Sequence, residues 1–165
     1  MKTIKAISVT NENFLPYGYI ANISDPSKDY GIGEAPAVFH RDMVVAPNAS
    51  HFPISFGSLK VDKRPYIIED VEYHTNAYEV MMPFDDDMIM YAGPASNDVI
   101  EMDKIEAFII PKGTLVVFRS GAWHGAPYPV HNEQGTVLIS LPERTYLNDT
   151  KKYFLDKKDF VEITL

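Results

Sequence analysis

Proline and glycine interrupt this chain so often that no long element fits between them. Twelve prolines and nine glycines are spread over 165 residues. The runs they leave are short and rich in β-branched and aromatic residues. The clearest are Ile54–Val61, Tyr66–Ile68, Tyr78–Met82, Met88–Ala92, Ala107–Ile110, Thr114–Arg119 and Thr136–Leu141. Turn-forming residues separate them, among them Lys63-Arg64-Pro65, Asp85-Asp86-Asp87, Gly93-Pro94 and Pro111-Lys112-Gly113. Many short strands at this spacing predict an all-β sandwich or barrel. Two short peripheral helices are expected: one turn capped by Asn11 through Phe14 and Leu15, and a C-terminal helix over Lys151–Lys158. Ser24–Pro36 reads as a loop able to cover a site. No repeat or linker divides the chain, which predicts one domain over residues 1–165.

Cysteine is absent, so disulfides and thiolate chemistry are excluded and any metal ligands must be His, Asp or Glu. The net charge is −8, with acidic residues dispersed and no basic stripe. Nucleic acid is therefore not an expected partner. No run approaches the roughly 20 apolar residues of a membrane span, and the N-terminus lacks an apolar run of the signal-peptide kind. A cytoplasmic, soluble protein is expected.

The segment Glu72-Tyr73-His74-Thr75-Asn76-Ala77-Tyr78-Glu79 carries the densest chemistry. On a strand, Glu72 and His74 share a face. A bend at Thr75–Ala77 would return Glu79 to it. Far along the chain, Gly121-Ala122-Trp123-His124 places a histidine after a glycine suited to a tight turn. Two carboxylates and two imidazoles at one point make a divalent metal site of Glu72, His74, Glu79 and His124, fit for Zn, Mn, Fe, Co or Ni. The bland alternatives are a solvated Glu72 and a His124 that only packs beneath Trp123. Lys60 and Arg119 are candidates to hold a substrate carboxylate. If Val117 faces the core, Arg119 shares that face. Trp123 is a candidate substrate platform or a packing residue. Met81, Met82, Met88 and Met90 read as core filler.

Glu72-x-His74-x4-Glu79 resembles the first cupin motif, H-x-H-x(3,4)-E, with Glu in place of the leading His. The stretch Ser120-Gly121-Ala122-Trp123-His124 resembles the core of the second. A closer resemblance, through most of the chain, is to the ureidoglycolate lyase family of cupins. It rests on Phe14-Leu15-Pro16-Tyr17-Gly18-Tyr19-Ile20, on Glu72-Tyr73-His74 through Pro83, and on Ala107-Phe108-Ile109 through Trp123-His124. The chain departs from that family's pattern at Glu79 (usually Gln), at Phe118 (usually Tyr), and at Gly125-Ala126-Pro127 (usually His-Pro). It also lacks an Arg on the strand before the first motif.

The resemblance implies a double-stranded β-helix, or jelly-roll barrel, and a homodimer, for which Thr136–Leu141 is a candidate pairing strand. It implies a carbon–nitrogen lyase splitting ureidoglycolate, a small carboxylate of allantoin and purine catabolism, into glyoxylate and urea. Glu72, His74 and His124 would be the catalytic groups, with or without a metal. The alternatives from other classes are a cupin sugar or sugar-acid isomerase or epimerase, and a non-catalytic small-ligand-binding cupin.

Overall fold

The computed structural model describes residues 1–26, 31–48, 50–96 and 98–165. Its elements in order are β1 (Lys2–Ser8), α1 (Asn11–Phe14), β2 (Gly18–Asn22), β3 (Gly31–Ile32), β4 (Phe39–His40), β5 (Ile54–Asp62), β6 (Ile67–Ile68), β7 (Asp70–His74), β8 (Glu79–Pro83) and β9 (Met88–Ala92). There follow β10 (Glu106–Ile110), β11 (Thr114–Phe118), β12 (Tyr128–Pro129), β13 (Gln134–Pro142), α2 (Thr145–Asn148), β14 (Thr150–Phe154) and β15 (Val161–Thr164).

Two sheets make the barrel. One has the order β12-β9-β10-β1-β15-β6 and the other β2-β11-β8-β13-β5. The expected jelly-roll of short strands is what forms. Strict alternation along the strands explains how the sheets meet. Met88, Met90, Phe108 and Ile110 from the first sheet pack with Met81, Val116, Phe118 and Val137 from the second. The intervening residues Ile89, Tyr91 and Ala107 point the other way, into a second cluster with Val71, Tyr73 and Trp123. The first sheet is thus covered on both faces, which is why β9 is apolar at every position and wholly buried.

Four expectations are corrected. Lys151–Lys158 is not a helix: β14 runs antiparallel to β7, with Thr150 opposite His74 and Lys152 opposite Glu72, followed by a 3-10 turn at Lys157–Asp159. The run Tyr153-Phe154-Leu155 has no helical periodicity, and pairing with β7 decides its conformation. The first helix is capped by Thr10 rather than Asn11. Thr10 Oγ1 accepts from Asn13 N at 3.1 Å, and Asn13 Oδ1 accepts from Thr10 N at 2.8 Å. Thr136–Leu141 lies in β13, between β8 and β5, so both its edges are already paired. The edge strands of that sheet are β2 and β5, and Ile54 and Phe56 of β5 are exposed. Of Ser24–Pro36, residues 27–30 lie outside the described residues, and Gly31–Ile32 pairs with β4.

Candidate metal centre and its cavity

The site forms where the inner face of β8 meets the ends of β7 and β11. Val71 and Tyr73 of β7 point into the second core cluster, so Glu72 and His74 point the opposite way. Glu79 opens β8 on the same face as Met81, opposite Phe118. Gly121 takes the left-handed conformation (φ 83°) and its N–H donates to the His74 carbonyl at 2.7 Å. That turn delivers His124, whose backbone pairs with Glu72 through two hydrogen bonds of 2.7 and 2.8 Å. The His124 ring stacks on Phe118, with centroids 4.6 Å apart. Gly125 follows directly against the Tyr91 hydroxyl, leaving no room for a side chain.

His74, Glu79 and His124 converge. Glu79 Oε2 lies 3.1 Å from His74 Nε2 and 2.7 Å from His124 Nε2. All three side chains are buried. Their outer partners fix the tautomers. His124 Nδ1 faces the Ala122 carbonyl at 2.9 Å, so Nδ1 carries the proton. His74 Nδ1 faces the Asp149 carbonyl at 3.3 Å. It also faces Thr150 Oγ1 at 3.3 Å, and that hydroxyl donates to the Thr145 carbonyl, leaving a lone pair for the ring. Both Nε2 lone pairs therefore aim at one carboxylate. Lone pairs opposed at such distances need a positive charge between them, either a proton or a metal ion. One ligand atom from each residue lies within 4.8 Å of the others, and the N,N,O donor set suits Zn, Mn, Fe, Co or Ni.

Electrostatics agree with the geometry. Burial pushes the Glu79 carboxyl up, but hydrogen bonds from His124 and His74 outweigh it and hold the group near about 2. Burial pushes His124 down, yet the bond to Glu79 wins and its pKa is raised.

His74 and Glu79 line a cavity of about 470 Å³, while His124 lies behind Glu79 and does not line it. Glu72 lines it beside His74 and Glu79, although its carboxylate is not among the converging ligand atoms. Leu59, Met81, Ile139 and Leu141 give an apolar wall, while Arg144, Thr145, Tyr146, Thr150 and Lys152 give a polar one. Lys60, Arg119 and Trp123 do not line it. Leu59 and Val61 face the core, which turns Lys60 outward, where it is exposed. On β11 it is Val116 and Phe118, not Val117, that enter the inter-sheet core, so the parity expected for Arg119 is reversed. Its guanidinium lies over the Tyr19 ring at 4.7 Å. Trp123 points away from His124 into the second cluster, and its Nε1 donates to Ser96 Oγ at 2.8 Å. No described residue of Ser24–Pro36 reaches the cavity.

A family model for ureidoglycolate lyase matches residues 1–162. The chain belongs to the ureidoglycolate lyase family. Membership places this family member among the cupin enzymes. A dTDP sugar isomerase from Desulfovibrio desulfuricans G20 is similar in structure, with TM-score 0.51 and 10% identity over 87% of this chain and 89% of that one. A dTDP-6-deoxy-D-glucose-3,5-epimerase from Legionella pneumophila Philadelphia 1 gives TM-score 0.47 and 8% identity over 77% and 69%. Oxalate decarboxylase from Bacillus subtilis gives TM-score 0.43 and 13% identity over 84% of this chain but 28% of that one. At these identities the likeness is one of fold alone. No curated protein matches the chain. Among the described residues of this ureidoglycolate lyase family member, no helix is long and apolar enough to cross a membrane.

The polar wall from Arg144 to Lys152 is the half of the site that the sequence conceals. Its signal is the i, i+2 spacing of Thr150 and Lys152, which acquires meaning only once β14 is paired with β7.

Proposed function

We propose that this protein is a metal-assisted lyase that cleaves ureidoglycolate, or a close relative carrying a nitrogen leaving group beside a hydroxyl and a carboxylate. The observation that carries the reading is the pair of Nε2 lone pairs aimed at the Glu79 carboxylate at the floor of an open cavity. His74, Glu79 and His124 would hold the cation. Glu79, where the family pattern has Gln, adds a negative charge to that ligand set. Once bound, the cation would act as a Lewis acid toward the substrate hydroxyl and lower its pKa.

The chain's own groups do the rest. Arg144 and Lys152 line the cavity, paired with Glu143 and Asp70 at 3.2 Å each, and would exchange those partners for the substrate carboxylate. Glu72, on the same wall, takes the hydroxyl proton. The C–O bond becomes a carbonyl as the C–N bond breaks, and its electron pair leaves on nitrogen. Glu72 returns the proton to that nitrogen, so glyoxylate and urea form without an added co-reactant.

The test is incubation of the protein, supplied in turn with Zn, Mn, Fe, Co and Ni, with ureidoglycolate, while glyoxylate and urea are both quantified. Equimolar release by wild type, absent in Glu72→Gln, is expected. Release at an undiminished rate in Glu72→Gln would remove the base from the scheme, and no release with any metal would remove the substrate assignment.

A further inference from the structure

Between His74 and Glu79 the chain makes a bend that must be held still if the two side chains are to stay aligned. The Asp149 carboxylate takes its N–H groups, and the Ser120 hydroxyl donates to the Thr75 carbonyl. Asp149 Oδ1 accepts from Thr75 N at 3.0 Å and from Asn76 Nδ2 at 3.2 Å, and Oδ2 accepts from Asn76 N at 2.8 Å and Ala77 N at 2.9 Å. All these bonds cross more than seventy residues of sequence. The same residue turns its backbone carbonyl to His74 Nδ1, and Thr150, next in the chain, sets its hydroxyl there as well. Asp149 is itself anchored, since its N–H donates to the Thr145 carbonyl at 2.8 Å to close α2. A carboxylate with four donors on two oxygens is as fully used as its lone pairs allow.

We infer that Asp149, with Thr150 beside it, is a positioning residue for His74. The carboxylate fixes the bend that spaces His74 from Glu79. The Asp149 carbonyl and the Thr150 hydroxyl keep the ring proton on Nδ1 and the Nε2 lone pair on the cavity side. Neither residue is among the ligand-bearing side chains that converge, although Thr150 also lines the cavity. The inference deepens the metal reading and rests on it only for cation affinity, because the tautomer is a property of the protein alone.

The experiment uses the full chain, with Asp149→Asn and Thr150→Val as variants. Long-range proton–nitrogen correlation of the histidine rings is recorded in chelator in a Glu79→Gln background, where the amide can donate to both ring nitrogens that face it, at a pH where both rings are neutral. His124, held independently by the Ala122 carbonyl, is the internal control. The Glu79→Gln parent should show Nδ1–H on both rings. Either variant should move His74 toward a mixture of tautomers and leave His124 unchanged, a selectivity that general destabilisation would not produce. Calorimetric titration with Zn²⁺ should show affinity weakened by about 10–100-fold in Asp149→Asn. A folded Asp149→Asn with parental His74 ring signals and unchanged Zn²⁺ affinity would overturn the inference, as would an Nε2–H His74 in the Glu79→Gln parent. If Asp149→Asn does not fold, Thr150→Val decides through the ring signals, and an unchanged His74 there overturns it too. Absence of Zn²⁺ binding to wild type would instead count against the metal reading, while the ring correlations still decide the positioning role.

Discussion

Replacing Glu79 by Gln removes the charge on which both imidazoles converge, and the effect on stability has a calculable shape. A buried carboxyl moved from 4.5 to about 2 corresponds to about 3 kcal/mol, at roughly 1.36 kcal/mol per pH unit. Because the folded value is depressed, that contribution is present above pH 4.5 and is lost as pH falls toward about 2. His124 is raised above 6.5, so its share is complete below 6.5 and is lost as pH rises through the raised value. These are one interaction seen from its two ends and are not summed. In chelator, the stability difference between wild type and Glu79→Gln should therefore be largest between about pH 4.5 and 6.5 and shrink on both sides. Urea denaturation of both proteins across that range measures it. A difference that stays flat with pH would refute the reasoning, because it would show that the carboxylate and the imidazoles are not charge-coupled.

Other substitutions separate chemistry from packing. His124→Ala should lower ureidoglycolate turnover by at least about 100-fold while circular dichroism still reports a folded β protein. Arg144→Gln and Lys152→Gln should each raise KM by about ten-fold, the equivalent of roughly 1.4 kcal/mol, with kcat largely kept; steady-state kinetics would show a fall in kcat alone if the carboxylate assignment is wrong. Gly125→Ala, which drives a methyl group into Tyr91, should cost about 1–3 kcal/mol and lower Tm by several degrees, read by calorimetry.

The barrel was legible because its signal is local. Short β-rich runs between prolines and glycines mark strands whatever they pair with, and β9 was placed at Met88–Ala92 with the same ends that the structure gives it. Glu72 and His74 on one face, and Glu79 beyond a bend, follow from a period of two and a single turn. What stayed hidden depends on pairing across distance. The segment after β13 carries Arg144, Asp149, Thr150 and Lys152, but its residues reach the site only because β14 lies against β7. The sequence reading expects a helix over Lys151–Lys158, and tertiary pairing with β7 makes it a strand instead. Arg119 was misplaced for a narrower reason. Its face depends on whether Val116 or Val117 turns inward, and in a strand apolar from Leu115 to Phe118 the sequence offers no way to choose.

The central claim is that His74, Glu79 and His124 form one metal centre. It is tested most directly by the metal content of the purified protein after incubation with divalent ions and removal of the excess, measured beside His74→Ala. The account predicts one equivalent of bound metal in wild type and a small fraction of that in the variant. Equal metal in both proteins, or none in wild type with any of the five candidate ions, would contradict it.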